Sequence, residues 1–157
     1  MGILADKVAV ITGAAGGLGS ASARRFAEEG AKVLLNDMNA DALTAVADEL
    51  AATGAAVDTC VASVADFDAS AAMIDQAVDR FGDLDIVVNN AGFLRDKMSF
   101  SMSEEEFDSV VAVHLKGHWA PSRHAAVYWR DQAKAGVTAN RRLIHTASES
   151  GLFGSAG

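Results

Sequence analysis

Short apolar runs alternate with longer helical stretches along this chain of 157 residues. The run Val8–Thr12 is continuous and rich in β-branched residues, which is typical of a strand buried on both faces of a sheet. The predicted strands are Val8–Thr12, Lys32–Asp37, Ala56–Ala62, Asp85–Asn90 and Arg142–Thr146. Alternating strands and helices are joined by right-handed crossovers, so the sequence predicts one parallel sheet with helices on both faces.

Helical patterns fill the intervals between these strands. Glycine follows three of them, at Gly30, Gly54 and Gly82, where a helix commonly stops. The predicted helices are Ser20–Glu29, Ala40–Thr53, Asp66–Phe81 and a long helix that follows the capping box of Ser103 and Glu106 and runs to about Ala135. Pro121 lies inside the long helix, where it either kinks the helix or starts a new segment.

Composition narrows the class of protein. The length suits a single domain over residues 1–157, and the mix of 50% hydrophobic and 22% charged residues is ordinary for a globular protein. The net charge of −8 argues against nucleic acid or an anionic membrane as a partner. Cys60 is the sole cysteine, and the sequence contains no signal peptide and no apolar run of membrane-spanning length. We therefore expect a cytoplasmic protein.

The segment ITGAAGGLGS joins the first predicted strand to the first helix. Its residues Gly13, Gly17 and Gly19 permit a tight turn and let backbone N–H groups approach a pyrophosphate at the helix N-terminus. Asp37 ends the second strand 18 residues after Gly19, close to the spacing at which a carboxylate binds the hydroxyls of an adenosine ribose. The pattern predicts a dinucleotide site.

The same residues discriminate between nucleotide cofactors. The carboxylate of Asp37 would repel a ribose 2′-phosphate, and neither the glycine segment nor Met38 supplies a cation, so NAD is favoured over NADP. A phosphate-binding P-loop is excluded because no Gly-Lys-Ser/Thr follows the glycines. A methyltransferase that uses S-adenosylmethionine also has a glycine-rich first turn and an acidic residue after the second strand, so these features alone leave it as an alternative.

A second motif separates these classes. Thr12–Gly19 reads TGAAGGLG and Asn89–Gly92 reads NNAG, and the pair at this spacing resembles the short-chain dehydrogenase/reductase family of the classical type. The resemblance covers the whole chain and implies a Rossmann-type doubly wound α/β sheet in the order 3-2-1-4-5, incomplete at its C-terminal side. The segments GFLRDK, VHLKGHW and HTASESG also resemble the subgroup that handles hydroxyacyl thioesters or steroid-like alcohols.

The resemblance implies roles for individual positions. The implied cofactor contacts are Gly13, Gly17, Leu18 and Gly19 around the pyrophosphate, Asp37 at the adenosine ribose, Ser63 and Val64 beside the adenine, and Asn90, Ala91 and Gly92 along the rest of the cofactor. Ser63 stands where the family usually has Asp. Ser148 matches the family's catalytic serine, whose hydroxyl would polarise the substrate carbonyl.

His114 departs from the family, which often has Asn at this place in the long helix. The family's Asn would bridge a water molecule to the catalytic lysine. His114 either joins a proton relay, since an unperturbed histidine has a pKa of about 6.5, or packs as a structural residue of the helix. His118 lies four residues further on, but no third ligand is evident, so we expect no metal site.

The family's active tyrosine follows its serine in the pattern Tyr-x-x-x-Lys, and this pattern is absent from the 157 residues. Tyr128 precedes Ser148 and has Gln132 in place of the lysine. Because carbonyl reduction needs a proton partner, we expect these residues alone to be inactive. Two functions stay open: an NAD-dependent dehydrogenase that, when intact, is a homo-oligomer (dimer or tetramer) acting on a small secondary alcohol or ketone, and a non-catalytic dinucleotide-binding fragment.

Overall fold

A five-stranded parallel sheet organises the fold. The structure is a computed structural model that describes residues 2–154. Its strands are β1 (Val8–Thr12), β2 (Lys32–Asp37), β3 (Val57–Val61), β4 (Ile86–Asn89) and β5 (Arg142–His145). Their order across the sheet is β3-β2-β1-β4-β5, and each neighbouring pair is parallel. The Rossmann-type order 3-2-1-4-5 that the resemblance implied is confirmed.

Six α-helices lie in the described part of the chain. They are α1 (Gly17–Glu28), α2 (Ala40–Ala52), α3 (Phe67–Phe81), α4 (Glu104–Val111), α5 (Gly117–Lys134) and α6 (Ser150–Phe153). The first helix begins three residues before the predicted start at Ser20, because glycines adopt the helical conformation without contributing to a hydrophobic pattern. Within residues 2–154, no helix combines the length and apolar character that crossing a bilayer requires.

The long helix predicted to run to about Ala135 is interrupted. A wide π-helical turn, Ala112–Lys116, separates α4 from α5, and the N–H of Gly117 bonds to the carbonyl of Ala112 five residues earlier. Pro121 is buried in α5 and cannot donate to the carbonyl of Gly117. The regular hydrogen-bond ladder therefore fails next to the wide turn, as is common where π turns form.

The sheet separates two hydrophobic layers. Neighbouring residues of one strand point to opposite faces, so Ile11 packs toward α1 and α2 whereas Val10 packs toward α3 and α5. The same alternation places Leu35 in the first layer and Leu34 in the second. Each of these aliphatic side chains is fully buried and contributes roughly 1.5–3 kcal/mol to folding. The two layers hold the strands and helices that carry the loops of the sheet.

A charged network closes the amino-terminal edge of the sheet. Nη1 of Arg141, just before β5, lies 2.9 Å from Oδ1 of Asp83 and 3.4 Å from Oδ1 of Asp85. The buried Asp85 also accepts hydrogen bonds from Nζ of Lys7 and the backbone N–H of Val8, each at 3.0 Å. These contacts tie the starts of β1, β4 and β5 together.

Removal of the Arg141 charge leaves two carboxylates close together, one of them buried. We expect Arg141→Met, which keeps the aliphatic stem, to lower the free energy of unfolding by about 1–3 kcal/mol, because Asp83 loses its cation while Asp85 keeps Lys7 and the N–H of Val8. Chemical denaturation followed by tryptophan fluorescence measures the change. The control is Arg142→Met at an exposed neighbour, expected within about 0.5 kcal/mol of the parent. Equal losses in the two variants would contradict the prediction.

Candidate functional site

The residues that sequence reasoning singled out lie at the carboxyl edge of the sheet. Gly13 follows β1, Asp37 ends β2, Ser63 and Val64 follow β3, residues 90–92 follow β4, and Ser148 follows β5. The carboxyl ends of parallel strands share one edge, so the loops that follow these strands converge there. The sheet is extended in opposite directions from β1, toward β2 and toward β4, and such a switch point opens a crevice between the loops.

Thr12 fastens the loop after β4 to the end of β1. Its fully buried Oγ1 accepts the backbone N–H groups of Asn90 and Ala91, both at 3.0 Å, and donates to the carbonyl of Val88 at 3.4 Å. In return, Nδ2 of Asn90 donates to the carbonyl of Thr12 at 3.1 Å. From the sequence, Thr12 was noted only as the first residue of the motif TGAAGGLG. The signal for its role was a polar residue at the end of an otherwise apolar strand.

Two glycines of the loop after β1 are required by close packing. Gly13 has φ +64°, and a Cβ there would lie 2.8 Å from Cα of Ala91. A Cβ at Gly19 would lie 2.1 Å from the carbonyl oxygen of Gly13. A side chain at either position would force the loop out of its present shape.

Gly17 differs, because a Cβ at this first residue of α1 would meet no atom within 4 Å. The N-cap residue Gly16 offers no side chain to the first N–H groups of α1, and the first turn holds no acidic residue. These N–H groups therefore face open space without a side-chain partner. A helix N-terminus in this condition attracts an anionic group.

Two adjoining grooves run along the loops. One, of about 300 Å³, is lined by Gly13, Gly16, Gly17, Leu18, Gly19, Asp37, Asn90 and Gly92. The other, of about 190 Å³, is lined by Gly13, Asn36, Asp37, Met38, Ala62, Ser63, Val64, Ala91, Gly92, Phe93 and Val113. The structure thus brings together all ten residues that the resemblance implied as cofactor contacts. Val113 was missed because it lies on the distant long helix.

Asp37 stands where the two grooves meet. Its Oδ2 accepts the backbone N–H of Ala15 at 3.1 Å, and its Oδ1 accepts that of Asn39 at 3.0 Å. Each carboxylate oxygen carries two lone pairs, so acceptor capacity remains for further hydroxyl groups. The carboxylate is therefore oriented by the glycine loop and still able to bind a diol.

The family model described as short chain dehydrogenase matches residues 7–157. The chain belongs to the short chain dehydrogenase family. The classical type that the two motifs indicated is thereby confirmed.

Two named proteins are similar to this chain. Hydroxyacyl-CoA dehydrogenase ChsB1 of Mycobacterium tuberculosis is 48% identical over 161 residues, which cover 98% of this chain and 50% of that protein. 3beta-hydroxysteroid dehydrogenase 2 of Eggerthella lenta is 36% identical over 156 residues, which cover 99% of this chain and 58% of that protein. The chain thus spans little more than half the length of these relatives.

A solved structure has the same fold. The crystal structure of a short chain dehydrogenase from Mycobacterium avium is 48% identical and has a TM-score of 0.96. The match covers 100% of this chain and 59% of that one. The five-stranded sheet and its helices therefore correspond to about three fifths of that protein's chain.

Ser148, which the resemblance implied as the catalytic serine, lies in the exposed loop between β5 and α6. Its Oγ accepts the backbone N–H of Ser150 at 3.2 Å, and it is not among the residues that line the two grooves. The segments that follow β4 and β5 are nevertheless in contact, because Oγ1 of Thr146 donates to Oδ1 of Asn90 at 3.2 Å. The structure thus places Ser148 at the shared edge but outside the grooves.

Tyr128 lies at the opposite edge of the sheet, where its hydroxyl donates to Oδ1 of Asp83 at 2.8 Å. Burial and the hydrogen bond to this carboxylate raise the pKa of Tyr128 to about 12. A group that exchanges protons with a substrate needs a pKa near the working pH and a position beside the substrate. Tyr128 therefore does not stand in for the tyrosine of the short chain dehydrogenases.

Three histidines form a row beside the loop after β4, which we call the histidine row: His114, His118 and His145. The ring centroids of His114 and His118 are 6.4 Å apart, and those of His118 and His145 are 5.5 Å apart. The ring of His114 covers Gly92, where a Cβ would lie 2.7 Å from Cε1 of His114. Sequence reasoning missed His145, because only the register between β4 and β5 brings it beside Asn89.

The histidine row is not arranged as a metal site. In the part of the chain that the structure describes, no group of three or more His, Cys, Asp or Glu side chains is arranged to hold a metal ion. His114 and His118 instead contact backbone groups of the loop after β4, so the role of these rings concerns that loop.

Substitution of Thr12 tests whether its hydroxyl holds the loop after β4. Thr12→Val keeps the shape but leaves two partly buried N–H groups without their acceptor, so we expect the free energy of unfolding to fall by about 2–3 kcal/mol. Thr12→Ser keeps the hydroxyl and loses one methyl group, which costs about 1 kcal/mol. Chemical denaturation measures both values, and amide exchange at Asn90 and Ala91 reports the local change. Equal destabilisation by the two variants would contradict the assigned role.

Proposed function

We propose that residues 1–157 form the dinucleotide-binding domain of an NAD-dependent oxidoreductase that interconverts a secondary alcohol and a ketone. The observation that carries the proposal is the pair of adjoining grooves, with the open N-terminus of α1 in one and Asp37 at their junction. Membership of the short chain dehydrogenase family supports binding of NAD or NADP in general. The choice of NAD and the residue roles are our proposal.

The residues present fit a dinucleotide. The N–H groups at the start of α1, beside Gly17, would hold the pyrophosphate, and Leu18 and Gly19 would border it. Asp37 would bind the adenosine ribose, with Ser63 and Val64 beside the adenine. When bound, the cofactor supplies the hydride chemistry, and the chain supplies position and orientation.

The loop after β4 would border the cofactor between the two grooves. Thr12 and the side chain of Asn90 hold this loop against β1, which leaves the surface of Ala91 and Gly92 facing the grooves. Gly13 contacts the loop closely from the other side. The backbone is therefore preorganised for a flat ligand and loses little conformational freedom on binding.

The preference for NAD rests on charge at Asp37. A 2′-phosphate brought within about 4 Å of a carboxylate is repelled by about 1–4 kcal/mol at the surface of a protein. We expect NADH to bind at least about tenfold more tightly than NADPH, since about 1.4 kcal/mol corresponds to a factor of ten. Titration of cofactor fluorescence measures the two dissociation constants.

Asp37→Asn removes the charge and keeps an oxygen acceptor, so the two affinities should come within about threefold of one another. Asp41→Asn is the matched control, because Asp41 is an exposed carboxylate in the first turn of α2 outside both grooves. We expect it to keep the NADH preference. Tighter binding of NADPH by the parent chain would overturn the choice of NAD.

Two relatives and one cavity support our proposal for the class of substrate. The relatives described above are named as a hydroxyacyl-CoA dehydrogenase and a 3beta-hydroxysteroid dehydrogenase. A cavity of about 710 Å³ lies between the segment after Gly92 and α4, with Phe93, Phe107 and Val110 among its lining residues. We propose a hydroxyacyl thioester or a steroid-like alcohol as the substrate, with Ser148 donating its hydroxyl hydrogen to the substrate oxygen.

The rival function is a non-catalytic dinucleotide-binding module. It is favoured for these 157 residues taken alone, because their one tyrosine, Tyr128, is held by Asp83 at the wrong edge of the sheet. Among residues 2–154, no other tyrosine is present at the carboxyl edge to match the proton donor of the family. Binding and turnover therefore have to be measured separately.

The deciding experiment compares the 157-residue chain with the protein expressed from its native gene, whose intact mass is recorded. With NAD and either a 3-hydroxyacyl-CoA or a 3β-hydroxysteroid, we expect the native protein to form NADH and the 157-residue chain to form none. Both should bind NADH. Turnover by the 157-residue chain would refute the need for the missing tyrosine. NADH binding without turnover by the native protein would favour the binding module.

We also propose that the intact protein is a homo-oligomer. Proteins of this family are usually oligomeric. Large apolar side chains stay exposed along α4, the π turn and α5, with Phe107 57%, Leu115 69% and Trp119 52% exposed. An exposed apolar surface of this kind is typical of a protein interface, and a second copy of the chain would cover it.

A further inference from the structure

We propose that His118 is a positioning residue: it holds the carbonyl of Ala91 and so keeps the loop after β4 in the shape that receives the dinucleotide. The inference rests on the proposed function, because it concerns the same grooves. It goes further in assigning His118 a task at the loop after β4.

The first support is the geometry at Ala91. Nε2 of His118 lies 3.2 Å from the carbonyl oxygen of Ala91. A carbonyl oxygen only accepts, so Nε2 carries the hydrogen. The N–H of the same residue donates to Oγ1 of Thr12 at 3.0 Å. Ala91 is thus held through its N–H from β1 and through its carbonyl from α5.

The second support is the contact at Phe93. Nε2 of His114 lies 3.1 Å from the backbone N and 2.8 Å from the backbone oxygen of Phe93. One ring nitrogen cannot accept from the N–H and donate to the carbonyl at the same time. In either tautomer the ring contacts the backbone of Phe93, two residues after Ala91, so a second histidine borders the same loop.

The third support is the charge environment. Two ionisable groups face His118, which are His145 from β5 and His114 from the π turn, and the loop after β4 contributes the Ala91 carbonyl. The face of α5 beside His118 adds the uncharged Ser122, whose hydroxyl donates to the His118 carbonyl.

Burial lowers the pKa of His118 below its usual range, and the neighbouring His145 and His114 lower it further, against the opposing effect of the Ala91 carbonyl. His118 is therefore neutral at pH 7. Below about pH 6.5 the unfolded chain binds this proton more readily than the folded chain does, so the folded arrangement loses stability as the pH falls. The stability is fully present above that pH.

The test measures NAD affinity of the 157-residue chain by calorimetry at about pH 7.5. His118→Leu, which removes the hydrogen bond to Ala91, should weaken binding about tenfold. His118→Gln, whose amide can donate to Ala91, should restore most of the affinity.

The matched control is His124→Gln. His124 also lies on α5 but packs against Phe67, with ring centroids 4.4 Å apart, so its replacement should leave the parent's affinity unchanged. A His118→Gln variant that binds as weakly as His118→Leu overturns the proposal. So does a His118→Leu variant that binds like the parent.

A second readout does not depend on the cofactor. Nitrogen-15 NMR of the imidazole rings, with the His118 signals assigned by their loss in His118→Gln, should show hydrogen on Nε2 and a titration midpoint below that of an exposed histidine. Hydrogen on Nδ1, or a midpoint at the ordinary value, overturns the proposal. Absence of NAD binding at any pH overturns the proposed function and the binding half of this inference, while the NMR result still decides whether His118 holds the loop.

Discussion

The arrangement of the carboxyl edge depends on one buried oxygen. Oγ1 of Thr12 takes the two N–H groups that begin the loop after β4, so this loop leaves the sheet in a fixed direction against β1. Gly13 then passes so close to Ala91 that no side chain fits between them. The crevice at the switch point has its shape because these two loops cannot move independently. The grooves, and the position of Asp37 between them, follow from this junction.

The two edges of the sheet are stabilised by different chemistry. At the amino edge, charged side chains pair with one another around Arg141 and Asp83, and Tyr128 completes that network. At the carboxyl edge, backbone groups and small residues predominate, and several N–H groups have no side-chain partner. Because paired side chains stabilise the amino edge, the carboxyl edge can keep polar backbone groups exposed. A ligand with phosphates and hydroxyls requires such groups.

The sequence predicts the strands almost to their ends, because runs such as Val8–Thr12 are long enough to bury and too short for a helix. The sequence does not predict the structure where the side chains form no hydrophobic pattern. The helical turn at Gly17 has no pattern to read, and no hydrophobic pattern marks the π turn Ala112–Lys116 before α5. The ten implied cofactor residues lie together because each ends a strand or follows one, whereas His145 needs the pairing of β4 with β5, which local sequence does not specify.

The open start of α1 links folding to binding. The glycine at its N-cap leaves the first N–H groups to be satisfied from outside the chain. Any anion that occupies this position adds its binding free energy to the folded state and none to the unfolded state. The melting temperature of the domain then becomes a measure of ligand concentration. A cell that depletes the ligand shortens the lifetime of the protein without altering a single residue.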